Sequence, residues 1–163
     1  IHQLLEAIDY LHKKGIWHRD IKPDNILVAD NDQKHPKVIL ADFGFAKKFD
    51  IDSFSRETLG SYEFLAPEIY KKEFYTNKVD IWSLGVSLFV ILTGKYPTCS
   101  FSRNPNRCAY LIINGKLNYK LLYDIGISID AIDLIKKMCN IDPALRITAE
   151  EALRHFFHQK KHK

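Results

Sequence analysis

No run of the 163-residue sequence approaches eighteen uninterrupted apolar residues, so nothing in it reads as a membrane-crossing helix. No secretory leader is expected either. The chain opens on Ile1-His2-Gln3-Leu4-Leu5-Glu6, already in helical rhythm and without a starting Met, which predicts a cut inside a larger protein. Cysteine is scarce: Cys99, Cys108 and Cys139 match neither a zinc spacing nor an even disulfide framework. They predict reduced thiols and an intracellular protein, cytoplasmic or nuclear. Charge of one sign is weak too. The net +4 lies partly in the tail His158-Gln159-Lys160-Lys161-His162-Lys163, and no basic patch with a binding motif marks a nucleic-acid partner. Repeats, low-complexity blocks and linkers are absent. What remains, 46% hydrophobic and 27% charged residues, is the composition of one ordinary globular domain spanning 1–163.

Apolar spacing predicts the elements. Ile1, Leu4, Leu5, Ile8 and Leu11 repeat with a helical period that Gly15 stops. Ile26-Leu27-Val28 and Val38-Ile39-Leu40, joined by a polar stretch, predict a small β-hairpin. From Asp42 to Pro67 no period persists, and a loop that long in a compact domain is usually functional. Thr76 is expected to cap a helix running through Leu92, stopped by Gly94 and Pro97, whose near-continuous apolar character predicts burial on most sides. The stretch from Tyr96 to Asn106 is expected to be irregular, with a short helix over 108–114. Ser128 to Met138 predicts another helix with Ile129, Ile132, Leu134 and Ile135 inward. Thr148-Ala149-Glu150-Glu151 is a capping box opening a last helix that reaches Phe156 or Phe157. The fold class is therefore mainly α (α+β), with one small hairpin.

The chemistry concentrates in His18-Arg19-Asp20-Ile21-Lys22-Pro23-Asp24-Asn25, an Asp followed five positions later by an Asn. Seventeen residues on, directly after the second apolar run, stands Asp42-Phe43-Gly44, and Ala66-Pro67-Glu68 closes the irregular segment. This set, in this order, is the protein-kinase signature. Phosphoryl transfer asks a protein mainly to place charges. A carboxylate and a carboxamide, Asp42 and Asn25, are hard oxygen ligands suited to Mg²⁺. Asp20 is placed to take the proton of an incoming hydroxyl, and Lys22 brings positive charge towards the transferred phosphate.

The chain resembles, along essentially its whole length, the C-terminal lobe of eukaryotic protein kinases. The resemblance implies ATP and Mg²⁺ as cofactors and a protein substrate offering a Ser or Thr hydroxyl. It implies catalytic roles for Asp20 and Lys22, with Ser61 orienting both. It also implies metal and nucleotide contacts at Asn25 and Asp42, and an adenine contact at Leu27. Asp80, in Asp80-Ile81-Trp82-Ser83-Leu84-Gly85, is expected to brace the catalytic loop, and Arg146 to pair with Glu68. His18 and Phe43 match positions that stack. Lys22-Pro23-Asp24-Asn25 is the serine/threonine form, and the segments around Trp82, Ile132 and Leu153 look most like the calmodulin-dependent and checkpoint group. Tyr62 departs from the family, which usually has Pro there. Phe45 implies serine over threonine as acceptor, and Asp24 a taste for basic peptides.

Arg19 marks relatives whose activation segment is ordered by a negative charge, with Lys47 a second member of the same pocket. Either Glu57 supplies that charge or Thr58 is phosphorylated. No Gly-x-Gly-x-x-Gly and no Val-Ala-x-Lys occurs, so the N-terminal lobe is expected to be missing and the 163 residues alone to be inactive. The alternatives are a pseudokinase or docking module, and a small-molecule phosphotransferase with a related Asp…Asn site.

Overall fold

A computed structural model describes residues 1–30, 32, 34–50, 53–98 and 105–160, with side chains omitted at 105 and 156–160. The elements run α1 (His2–Lys13), β1 (Ile16–Trp17), β2 (Ile26–Val28), β3 (Val38–Leu40), β4 (Lys47–Lys48), α2 (Pro67–Tyr70), α3 (Lys78–Thr93), α4 (Pro105–Ile113), α5 (Lys120–Asp124), α6 (Ile129–Met138) and α7 (Ala149–Lys160). Single 3-10 turns lie at Pro23–Asn25 and Tyr62–Phe64. None of the described helices is long and apolar enough to cross a membrane.

Helix α3 organises the molecule. One side joins the Trp82–Val86–Phe89 cluster with Ile112, Leu122, Ile132 and Ile135. The other joins Ile81 and Leu84 to Leu4, Leu5 and Ile8 of α1, Leu40 of β3, Met138 of α6 and Ala152 of α7. Serving two clusters is why its sequence is apolar nearly all round. Gly85 allows α6 to pass close by: a Cβ there would lie 2.6 Å from the Cys139 sulfur. Gly94 ends α3 in the left-handed conformation, φ 67°, as its glycine predicts.

The hairpin forms as expected, Ile26 opposite Leu40 and Val28 opposite Val38. A second ribbon escaped the sequence reading: Ile16 pairs with Lys48 and Trp17 with Lys47. Two-residue strands carry no periodicity to detect. Helices α2 and α5, of 4 and 5 residues, escaped that reading for the same reason.

Several expectations need correction. α3 begins at Lys78, after Asn77, because Thr76 and Asn77 already form a tight turn, with Val79 N–H on Thr76 O at 3.3 Å and Asp80 N–H on Asn77 O at 3.0 Å. The Thr76 hydroxyl accepts only from Lys78 N–H, at 3.4 Å. Ile129 is not inward but 76% exposed, because a side chain in the first helical turn leans back beyond the helix it would pack on. α4 starts at Pro105 rather than at Cys108, and α7 extends to Lys160, past Phe157. Its capping box is present: Thr148 Oγ1 accepts from Glu151 N–H at 3.1 Å, and Glu151 Oε2 from Thr148 N–H at 2.8 Å. Cys139 is a free buried thiol, pushed up to about 12 by burial, whereas Cys108 is disulfide-bonded, against the expectation of three reduced thiols. Cys99 lies outside the described residues.

Candidate active site

Residues 18–25 form the floor of the site, between β1 and β2, and α3 fixes their backbone from below. Asp80, buried in the first turn of α3, accepts His18 N–H on Oδ2 at 2.9 Å and Arg19 N–H on Oδ1 at 2.8 Å. The same Oδ2 meets His12 Nε2 at 2.9 Å. His12 had no signal in the sequence beyond its place on α1. Arg19 takes a left-handed conformation, φ 66°, a strained state for a non-glycine residue that survives where the surroundings over-determine it. Further along α3, Ser87 Oγ reaches Ile21 O at 3.5 Å and Ser83 Oγ donates to Phe64 O at 2.8 Å. One rigid helix thus holds both the 18–25 loop and the far end of the 42–67 segment.

On this floor Asp20 is 4% exposed and both its oxygens are engaged. Oδ1 accepts Ser61 N–H at 2.8 Å and Ser61 Oγ–H at 2.9 Å. Oδ2 faces the Lys22 ammonium at 2.9 Å and the Asn25 amide nitrogen at 3.3 Å. Lys22 Nζ also donates to Ser61 Oγ at 2.8 Å, closing a triangle. Burial is the largest influence on the Asp20 carboxyl and pushes it up. The Lys22 ammonium and the two Ser61 bonds together outweigh burial, and the carboxyl ends below its ordinary value. The hydrogen bond to Asp20 raises Lys22 in turn, with Asp24 and Asp42 adding to it through their fields. Gly60 lets the segment lie this close. Its φ is 104°, and a Cβ there would sit 2.6 Å from Arg19 O.

Asn25 is buried at the end of the 3-10 turn, its amide nitrogen donating to Asp20 O at 2.8 Å. Its backbone carbonyl accepts Ala41 N–H at 2.8 Å, so the hairpin carries Asp42 to the residue next to Asn25's partner. His18 secures the same point from below, with Nε2 on Ala41 O at 3.0 Å and its ring 4.9 Å from that of Phe43. Asp42 itself is exposed, in a left-handed conformation at φ 59°, and accepts Gly44 N–H at 3.1 Å. Leu27 points out of the hairpin, 50% exposed. The structure therefore gathers Asp20, Lys22, Asn25 and Ser61 into one bonded knot, sets Asp42 at its edge, and leaves Leu27 on the adjoining apolar face. Among the described residues no three His, Cys, Asp or Glu side chains converge as a metal cluster. An Asn–Asp pair suits Mg²⁺, which typically takes one or two protein oxygens and completes its octahedron with phosphates and water.

The segment returning to the 18–25 loop is anchored at both ends. Arg19 donates from Nε to Phe45 O at 2.8 Å and from its terminal nitrogen to Glu57. Glu68, where the segment closes, is buried in α2. It takes a bidentate bond from Arg146, 2.6 Å on Oε1 and 2.9 Å on Oε2. The expected ion pair is present.

Residues 1–158 match the family described as protein kinase domain. The chain belongs to the protein kinase family. It is 42% identical over 160 residues to the serine/threonine-protein kinase cds1 of Schizosaccharomyces pombe, covering 94% of this chain and 34% of that protein. It is 38% identical over 162 residues to human serine/threonine-protein kinase H1, covering 95% and 36%. The calcium/calmodulin-dependent protein kinase cmkA of Emericella nidulans is 38% identical over 156 residues, covering 95% and 37%. The chain thus spans about a third of the length of these curated relatives. All three bear serine/threonine or calmodulin-dependent kinase names, in keeping with the group expected from the motifs. The mostly helical fold with its two small antiparallel ribbons is that of a kinase C-terminal lobe. Kinases of this family generally use ATP and Mg²⁺.

Proposed function

We propose that residues 1–163 are the C-terminal lobe of a serine/threonine protein kinase, supplying the phosphate-transfer and substrate-docking half of the site. A glycine-rich, nucleotide-cradling lobe is contributed from outside these residues. The observation that carries the reading is the state of Asp20: ionised, nearly buried, and held on both oxygens by Ser61, Lys22 and Asn25.

In this reading Asp20 accepts a hydrogen bond from the substrate hydroxyl and receives its proton as the bond to phosphorus forms. Its lowered basicity suits a late transfer, since it is too weak a base to strip the alcohol beforehand. Lys22 offers its one remaining N–H to the transferred phosphoryl oxygens, and Ser61, bonded to both partners, orients the Asp20–Lys22 pair. Asn25, its amide nitrogen committed to Asp20, presents its oxygen to the metal, and Asp42 presents a carboxylate. Bound there, Mg²⁺ would neutralise charge developing on the ATP phosphates. Leu27 gives the adenine an apolar surface.

The protein substrate enters along Asp24 and Glu63. Both carboxylates act on Tyr96, whose hydroxyl is raised first by burial and then by these two charges, and they favour a basic peptide. The acceptor is serine rather than threonine, with Phe45 as the discriminating bulk. An ATP-dependent reaction places the protein inside the cell, in cytoplasm or nucleus. The test uses the full-length protein with Mg-ATP and a basic serine peptide. Asp20→Asn is expected to lower kcat at least a hundredfold while nucleotide affinity stays within about twofold. Equal loss of nucleotide binding, or retained turnover, refutes the assignment.

A further inference from the structure

Glu57 lies 37 positions beyond Asp20, yet it meets the residue directly before it. One carboxylate oxygen takes the Arg19 guanidinium, and the other lies 3.4 Å from Lys47 Nζ. Arg19 is 7% exposed at its side chain and Lys47 52%. Both cations stand over the ring of Phe49, at 5.6 Å and 5.4 Å, and Arg19 also holds Phe45 O. The backbone of Glu57 is fixed independently. Its N–H donates to Ser55 Oγ at 3.3 Å, and its carbonyl accepts the Tyr75 hydroxyl at 2.8 Å beside the Ser55–Tyr75 bridge.

Charge matching decides what the pocket needs. A cation as covered as Arg19 cannot remain without a counterion, because its partners would then have to be water it cannot reach. Lys47, half in solvent, needs none. One fixed negative charge is therefore sufficient, and Glu57 already supplies it. The Arg19 hydrogen bond, helped by Lys47, holds the Glu57 carboxyl below its ordinary value against a weaker effect of burial, so it stays ionised through the neutral range. Thr58 next to it is exposed.

We propose that Glu57 is a positioning residue, a built-in anion that clamps Phe45, Lys47 and its own stretch of backbone to Arg19 and so holds the catalytic loop in its transfer geometry without added phosphate. The inference rests on the kinase reading above, and its test separates the two. Full-length protein treated with a phosphatase is assayed with Mg-ATP and a serine peptide. Wild type and Thr58→Ala keep their rate within about twofold. Glu57→Gln loses about tenfold in kcat with little change in the KM for ATP, and Glu57→Asp recovers part of the loss. Raising ionic strength lowers kcat of wild type at saturating substrate but leaves Glu57→Gln unmoved, a response that a packing role would not give.

A phosphatase-sensitive rate abolished by Thr58→Ala, or a fully active Glu57→Gln, overturns the proposal. If no protein transfers phosphate, the kinase reading fails, and tryptic cleavage decides the clamp alone. Glu57→Gln is then expected to be cut after Lys47, Lys48 or Arg56 about tenfold faster than wild type, and an unchanged rate refutes it.

Discussion

Glu68→Gln isolates the energetic role of the ion pair that closes the catalytic segment. The substitution keeps the shape of the side chain and removes one charge. Glu68 and Arg146 are both 1% exposed, and the guanidinium, 5.2 Å from the Trp82 ring, has no route to water. Its remaining partners are the carbonyls of Asn140 at 2.9 Å and Lys78 at 3.0 Å, which hydrogen-bond but carry no charge. Breaking a buried pair from one side typically costs 3–5 kcal/mol. The two surviving carbonyl bonds and the amide oxygen of Gln argue for the lower end, about 3 kcal/mol. At roughly 2–4 °C per kcal/mol for a domain of this size, the melting temperature should fall by about 6–12 °C. Urea unfolding with an unchanged slope measures the free energy directly. Arg146→Met on the Glu68→Gln background should recover part of the loss, since it removes the stranded charge. A single-variant loss under about 1 kcal/mol, or additive behaviour in the cycle, would show that water reaches the guanidinium and would refute the reasoning.

Further outcomes follow from the Asp20–Ser61 contact and from the close approach at Gly85. Because the Lys22 ammonium and then two Ser61 bonds hold the Asp20 carboxyl down against burial, the rate should stay high until the pH falls below the ordinary carboxylate range. Ser61→Ala, which deletes one of those bonds, should move that acid limb to higher pH; a limb that stays put excludes Asp20 as the titrating group. The linked stability has the same sign. A depressed carboxylate contributes above its unfolded pKa, about 4, and the contribution is lost as pH drops through the lower folded value. Gly85→Ala should cost about 1–3 kcal/mol by forcing a methyl group against the Cys139 sulfur, and Cys139→Ala should relieve part of it in urea titrations. Equal stability of Gly85→Ala and wild type would mean that α3 and α6 can separate freely.

The long helices were legible because each buries one stripe, or in α3 nearly its whole surface, against a core that the apolar spacing reports. The hairpin was legible from two β-branched runs. Ile129 was misread because periodicity shows which face is apolar but not how far the neighbouring helix extends. The Ile16–Trp17 and Lys47–Lys48 ribbon was invisible because its pairing joins residues about thirty positions apart through only two residues a side. Thr76 was a reasonable cap by residue type, but Asn77 after it is already in helical backbone and takes the capping place.

By itself the sequence determined the chemical groups of the site. Asp20, Lys22 and Asn25 share one eight-residue loop, and Asp42 heads a second short motif, so their spacing survives without knowledge of the fold. Only the tertiary structure decided what surrounds them. Ser61 reaches Asp20 because Gly60 adopts a conformation open to few other residues, and Arg19 meets Glu57 because the 42–67 segment folds back over it. Local spacing encodes which atoms are available. The direction in which each one points depends on contacts between residues far apart in the chain, and burial sets their strength.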